Sequence, residues 1–160
     1  MKTPHAVYAG SFDPFTLGHY DILIRALSLF DAVTVAIAVN PEKKSRYTFA
    51  AREEMIRASV TDDRLSVVSF DGLLTDFMKQ KSITAAVRGI RNGNDLVYES
   101  QMAAANRTLY PAMETVFLVS DPRYAHISAT LVRDVMNHGG DISAFVPEAA
   151  AAVIHREQQR

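Results

Sequence analysis

The chain has 160 residues, 48% of them apolar, enough for one domain with a buried core and far from a disordered composition. Its 17 basic and 18 acidic residues give a formal charge of -1, without the basic excess of a protein that coats nucleic acid. With no cysteine, disulfides, thiolate metal sites and cysteine nucleophiles are excluded, and a reducing cytoplasm is the default expectation.

The N-terminal residues run into an apolar stretch, 6–9, too short for a signal-peptide core or a membrane span. Residues 5–9 read instead as a strand buried on both faces. Behind it Ile22, Ala26 and Phe30, joined by Leu23 and Leu27, recur at helical spacing. The alternation then repeats, with strands expected at 33–39, 65–69, 85–88 and 115–119. Helices are expected at about 49–60, 73–80, 96–109 and 128–137. A last helix is expected from Pro147, because proline suits a first helical turn. Five strand–helix units in succession predict an α/β fold. It is a Rossmann-like, doubly wound domain with a five-stranded parallel sheet and helices on both faces. With no internal repeat, low-complexity stretch or linker, residues 1–160 are expected to form one domain. Such a sheet binds ligands beyond the C-terminal ends of its strands, where strand order reverses. The loops that follow the strands are therefore the places to seek chemistry.

The first of these loops reads Gly10-Ser11-Phe12-Asp13-Pro14-Phe15-Thr16-Leu17-Gly18-His19. Gly10 is expected to let the backbone turn sharply and a ligand approach it closely. Ser11 offers a hydroxyl at the strand end, and Gly18 omits a side chain where a nucleotide would lie on the backbone. His19 falls in or near the first turn of the helix, where the dipole and free N–H groups favour anions. Thr16 and His19, three apart, share a face if that turn is helical. Singly, each feature suits an ordinary strand–helix connection. Together they match the T/H-x-G-H signature of the nucleotidylyltransferase superfamily, which stands here as Thr16-Leu17-Gly18-His19. The preceding G-[ST]-F-D-P string resembles most closely the bacterial phosphopantetheine adenylyltransferase family, and the resemblance extends over nearly the whole chain.

The other loops carry further polar groups. Asn40-Pro41-Glu42-Lys43-Lys44-Ser45-Arg46 follows the second strand; taken alone, three cations in a loop are usually a solvated surface. Phe70-Asp71-Gly72-Leu73-Leu74 follows the third; either leucine could be a core residue of the next helix, and Leu73 is expected to be one. Arg88-Gly89-Ile90-Arg91 follows the fourth. Two arginines across a glycine suit phosphate binding, the alternative being ion pairs with Asp95 or Glu99. Tyr124-Ala125-His126-Ile127-Ser128-Ala129-Thr130 opens a helix, where Ser128 could be a cap or part of an anion site. No nucleophile–base pair stands out.

These segments reproduce the family's R-G-[LI]-R and D-[FL]-x-Y-E strings, with Leu96 where phenylalanine is common. They depart from its I-S-S-S or I-S-S-T at Ala129, which removes one hydroxyl. The resemblance implies transfer of AMP from ATP to 4'-phosphopantetheine, giving dephospho-coenzyme A and pyrophosphate. It implies His19 and Lys43 as catalytic residues, with Lys44 the alternative to Lys43. Ser11, Lys43, Leu74 and Arg88 would bind phosphopantetheine. ATP would be bound by Ser11, Phe12, His19, Gly89, Ile90, Arg91, Glu99 and the segment Tyr124, Ala125, His126, Ile127, Ser128, Ala129 and Thr130, of which His126 looks incidental by its own chemistry. Magnesium would be carried by the ATP phosphates, with no metal ligand from the protein. The family also implies a cytoplasmic homohexamer with coenzyme A as feedback inhibitor, and neither nucleic acid nor membrane as partner. Two alternatives stand beside this: a related enzyme with another acceptor, such as nicotinamide mononucleotide or a phosphorylated alcohol, and a nucleotide-binding sensor without turnover. Lys43 and Arg88 weigh against the first, and His19 together with Lys43 against the second.

Overall fold

The computed structural model describes residues 4–39, 42 and 44–159. Parallel strands β1 (His5–Gly10), β2 (Ala32–Ala38), β3 (Leu65–Phe70), β4 (Ala85–Ile90) and β5 (Glu114–Val119) form one sheet, in the order β3-β2-β1-β4-β5. Between and after them lie α1 (Leu17–Leu29), α2 (Phe49–Ser59), α3 (Leu74–Gln80), α4 (Gly93–Leu109), α5 (Ala129–Asn137) and α6 (Glu148–Gln158). The parallel α/β sheet with helices on both faces is as the alternating pattern requires.

The central strands are apolar because both their faces are covered. Ala6, Tyr8, Val33, Val35, Ile37 and Val87 pack with residues of α1, α2, α5 and α6, among them Leu23, Ile56, Val132 and Ile154. The alternate residues Val7, Ala9, Ala36 and Ala86 pack on the other face, with Phe77 and Met78 of α3 and with Ile83 and Met113. Each large side chain so buried contributes about 1.5–3 kcal/mol. Four helix starts are fixed by short polar caps: Thr16, Thr48, Asn92 and Ser128 each accept a backbone N–H from the first turn.

Capping also explains where element ends differ from the sequence reading. The Asn92 side chain accepts from Asp95 N at 3.0 Å, which brings Gly93, Asn94 and Asp95 into α4, three residues ahead of the expected start at 96. Pro147 is the cap of α6 and not its first residue. Strands β1 and β4 continue to Gly10 and Ile90, held in register by Ile37 and Val119.

Strand β1 pairs with β2 on one side and β4 on the other, so the chain order reverses between β1 and β4. The loops β1–α1 and β4–α4 leave this point, and a crevice opens between them. Helix α4 is a thin cover for the sheet. Only Glu99 of it is buried, while Leu96, Val97, Tyr98, Met102 and Leu109 stay exposed.

Candidate active site

Two cavities meet at the β1/β4 crevice. One, of about 350 Å³, is polar and is walled by the β1–α1 loop, the end of β4 and the start of α5. The other, of about 320 Å³, is lined largely by apolar groups, including Phe70, Leu73, Leu74, Met102 and Met113. Ala9, Gly10, Ser11, Arg88 and Glu99 belong to both walls, so the two spaces join at the C-terminal end of β1.

The first loop is built around an aromatic cluster. Phe12 is 1% exposed and its ring meets Tyr8, Phe15 and His19 at centroid distances of 5.1, 6.1 and 5.0 Å. The sharp turn expected at Gly10 is made by Phe12, whose φ of 48° is unusual for a bulky residue and is held by that packing. Gly10 serves differently: a Cβ there would lie 3.2 Å from the Phe12 ring. Gly89 acts similarly, since a Cβ there would lie 3.0 Å from Ile22 Cγ1, and its absence lets α1 close on β4.

His19 and Thr16 cap α1 reciprocally. His19 N donates to Thr16 Oγ1 at 3.2 Å, and Thr16 N donates to His19 Nδ1 at 3.0 Å. Because Nδ1 accepts, the neutral imidazole carries its proton on Nε2. Burial, then Arg91 and Arg88, push the His19 pKa down to about 4. At neutral pH the side chain is therefore an uncharged donor lining the polar cavity.

Both arginines of the fourth loop are ion-paired. Arg88 Nε and Nη2 donate to the two carboxylate oxygens of Glu99 at 2.9 and 2.6 Å, and Nη1 donates to the Ala9 carbonyl at 2.6 Å. Arg91 pairs with Asp95 at 2.9 Å. The ion-pair alternative is thus realised for each, and each still lines the polar cavity. Opposite them, Ser128 caps α5 by accepting from Leu131 N at 3.0 Å, which leaves its hydroxyl hydrogen for another acceptor. The site is an arginine-rich, hydroxyl-bearing pocket at a helix start, open to an apolar slot. It suits a polyphosphate on one side and a slender apolar chain on the other.

Residues 7–135 match the cytidylyltransferase-like family model. A phosphopantetheine adenylyltransferase of Brucella anthropi is 49% identical over 156 residues, covering 94% of this chain and 95% of the relative. The enzyme of the same name from Brucella ovis is 47% identical with the same coverage. The chain belongs to the phosphopantetheine adenylyltransferase family. Its fold is also that of a bifunctional NMN adenylyltransferase/ADP ribose pyrophosphatase from Francisella tularensis, with a TM-score of 0.70 at 17% identity over 90% of this chain and 45% of that one.

Of the residues that family resemblance singles out, Ser11, Phe12, His19, Arg88, Gly89, Arg91, Glu99, Ile127, Ser128, Ala129 and Thr130 converge on the polar cavity. Leu74 lines the apolar one. Leu73 does too, and at 54% exposure it is not the core residue expected, because it is the N-cap of α3 and precedes the helical face that packs on the sheet. Ile90, Tyr124, Ala125 and His126 line neither cavity. Ile90 is buried, Tyr124 stacks under Arg123, and His126 meets the Phe145 ring edge-on. Lys43 lies outside the described residues.

Sequence reasoning missed three residues of the site's frame. Asp13 accepts from Arg46 N at 2.8 Å and Tyr47 N at 3.0 Å, tying the first loop to the second. Arg52, only 2% exposed, donates to the Ser11 carbonyl at 2.8 Å and the Ala38 carbonyl at 3.3 Å, joining the ends of β1 and β2. An arginine beside Ala51, Met55 and Ile56 on a buried helical face was the signal for it, since such a cation needs partners. Arg133 reaches the polar cavity from the second turn of α5, beyond the loop where site residues were sought.

Proposed function

We propose that the chain transfers AMP from ATP to 4'-phosphopantetheine, releasing pyrophosphate and dephospho-coenzyme A, a step of coenzyme A biosynthesis, with residues 1–160 acting as one nucleotidyltransferase domain. The observation that carries this is the junction of the two cavities at Ser11 and Arg88. ATP fits the arginine-rich side and the pantetheine arm the slot lined by Leu74. The acceptor phosphate then lies where they meet, beside the Arg88 guanidinium and the Ser11 hydroxyl.

An acceptor phosphate is already a nucleophile at neutral pH, so no serine–histidine–aspartate set is needed. It attacks the α-phosphorus in line and pyrophosphate leaves. The protein's contribution is positioning and charge stabilisation. The Nε2–H of His19 donates to the α-phosphate as charge builds there. Arg91, Ser128 and Thr130 restrain the departing phosphates. Lys43 joins Arg88 on the acceptor phosphate by family resemblance, and Glu99 faces the junction.

Magnesium would be carried by the ATP phosphates, whose charge it would neutralise. Among the described residues no group of three histidines or carboxylates could cage a metal, and the cavity's Asp95 and Glu99 are engaged by Arg91 and Arg88. This fits an ion that keeps mostly phosphate and water ligands. Coenzyme A carries the same pantetheine arm and would compete for the apolar slot as a feedback inhibitor. No described helix is long and apolar enough to cross a membrane, and the chain lacks cysteine, in keeping with a cytoplasmic enzyme.

The exposed apolar side chains of α4 favour self-association, and a homohexamer is the assembly we propose. Light scattering of the purified chain should give six times the 17.7 kDa chain mass, and a monomer would refute it.

The activity is tested by pyrophosphate release with magnesium and ATP, with and without 4'-phosphopantetheine. Acceptor-dependent release, with dephospho-coenzyme A found by mass, is the expected result. Folded protein that binds ATP but releases nothing would point to another acceptor or to a sensor.

A further inference from the structure

At 2% exposure Arg52 is the most deeply buried charged side chain among the described residues, and it lines neither cavity. Its hydrogen-bond partners are all backbone carbonyls. Nη1 donates to Ser11 at 2.8 Å and to Ala38 at 3.3 Å, and Nε donates to Thr48 at 3.4 Å. Arg88 and Arg91, by contrast, sit in ion pairs with Glu99 and Asp95. Asp13, the carboxylate whose charge Arg52 feels, is taken up by the Arg46 and Tyr47 N–H groups. Burying a cation against carbonyls alone is costly. Packing does not call for it, because a methionine would fill the same helical face beside Ala51, Met55 and Ile56.

What the guanidinium holds is one peptide plane. The Ser11–Phe12 peptide is trans, so its C=O and N–H point in opposite directions. With the carbonyl drawn to Arg52, outside the cavity, the Phe12 N–H faces the other side, where Ser11 and Phe12 line the polar cavity. Among the described residues neither that N–H nor the Ser11 hydroxyl has a hydrogen-bond partner. The plane is not at rest by itself. Phe12 has a φ of 48°, a left-handed conformation that its Cβ disfavours. Turning the peptide over by about 180° would carry that φ into the extended region open to any residue. The same turn would point the N–H away from the cavity and take the Ser11 carbonyl off Arg52. The bond at 2.8 Å therefore opposes it.

We infer that Arg52 is a positioning residue for the reaction: by holding the Ser11 carbonyl it keeps the Phe12 N–H and the Ser11 hydroxyl aimed at the reacting phosphates. Through Ala38 it ties that peptide to the end of β2. Its fork of donors suits the task, since one rigid group reaches both strand ends at once. The inference rests on the nucleotide reading of the polar cavity and assigns no contact between Arg52 and a substrate.

The test combines amide NMR of the full chain, titrated with magnesium ATP without acceptor, and steady-state kinetics. In the wild type the Phe12 amide proton should move downfield as it meets a phosphate oxygen. Arg52→Met should still bind ATP but leave the Phe12 amide unmoved. Its kcat should fall about 10–100-fold, with each KM within about threefold of wild type, the mark of misplaced donors and not of lost binding. A mere structural prop would instead give a lower Tm, with kcat per folded molecule and the Phe12 response as in the wild type, and that outcome overturns the inference. Arg52→Lys, which keeps the charge but not the fork, should recover part of the turnover. It decides the matter if Arg52→Met does not fold, and wild-type turnover in it would overturn the inference. So would a wild type whose Phe12 amide ignores ATP. If the amide responds in the wild type and not in Arg52→Met, but no AMP reaches phosphopantetheine, the inference stands and the acceptor assignment falls.

Discussion

Replacing His19 by alanine is expected to lower turnover by about 10²–10³-fold, the range seen when one preorganised donor to a developing charge is removed. ATP affinity should fall far less, because the imidazole is neutral and its donor matters most when charge accumulates on the α-phosphate. Equal losses in turnover and binding would make His19 a binding residue only. His19→Gln separates chemistry from stability, since glutamine at this position preserves the reciprocal cap with Thr16 while changing the donor's reach. The protonation state has its own test. With the folded pKa near 4 against about 6.5 in the unfolded chain, the unfolded chain binds a proton between those values that the folded chain does not. Stability from this group is therefore full above pH 6.5 and declines as pH falls toward 4, by about 3 kcal/mol in all. An NMR titration of the imidazole is the direct check. Activity profiles would mix in the substrate phosphates, which themselves titrate near pH 6. An imidazole that titrates at 6.5 in the folded protein would remove the argument for a neutral donor.

The sheet was legible because its code is local. Runs such as Ala6 to Ala9 and, apart from Thr34, Val33 to Ala38 are apolar without alternation, as strands covered on both faces require. The β1–α1 loop was legible because Thr16, Gly18 and His19 act within one turn of helix, where sequence spacing is spatial spacing. What could not be read are bonds between distant segments. Asp13 meets Arg46 and Tyr47 across 33 residues or more, Arg52 meets Ser11 across 41, and Arg133 meets Asp13 across 120. No local pattern encodes such partners. Phe12 shows the same limit in its backbone. Its left-handed conformation is set by Tyr8, Phe15 and His19 packing around its ring, while propensity alone placed the turn at Gly10. Leu73 shows it for packing, since an apolar residue at a helix start reads as core until a cavity is found beside it.

Arg88 and Glu99 allow stability and chemistry to be separated. Arg88→Met leaves the Glu99 carboxylate, 9% exposed, without its bidentate partner. Removing one member of a fully buried pair costs about 3–5 kcal/mol; here the Arg88 side chain keeps 32% exposure, and about 2–3 kcal/mol is expected. That corresponds to a fall in Tm of about 5–10 °C for a chain of this size. Turnover with phosphopantetheine should fall at least about 100-fold, because the charge at the junction of the cavities is gone. Adding Glu99→Gln removes the stranded charge, so the double variant should regain most of the lost Tm and none of the turnover. The single variant Glu99→Gln then decides what the carboxylate is for. If it serves by holding the Arg88 fork, the KM for phosphopantetheine rises while the KM for ATP stays close to wild type. If it orients the nucleotide, as the family resemblance suggests, the KM for ATP rises instead. The hydrogen bonds favour the first, because both carboxylate oxygens are already committed to Arg88 at 2.9 and 2.6 Å, at the junction of the two cavities where the proposed acceptor phosphate would lie.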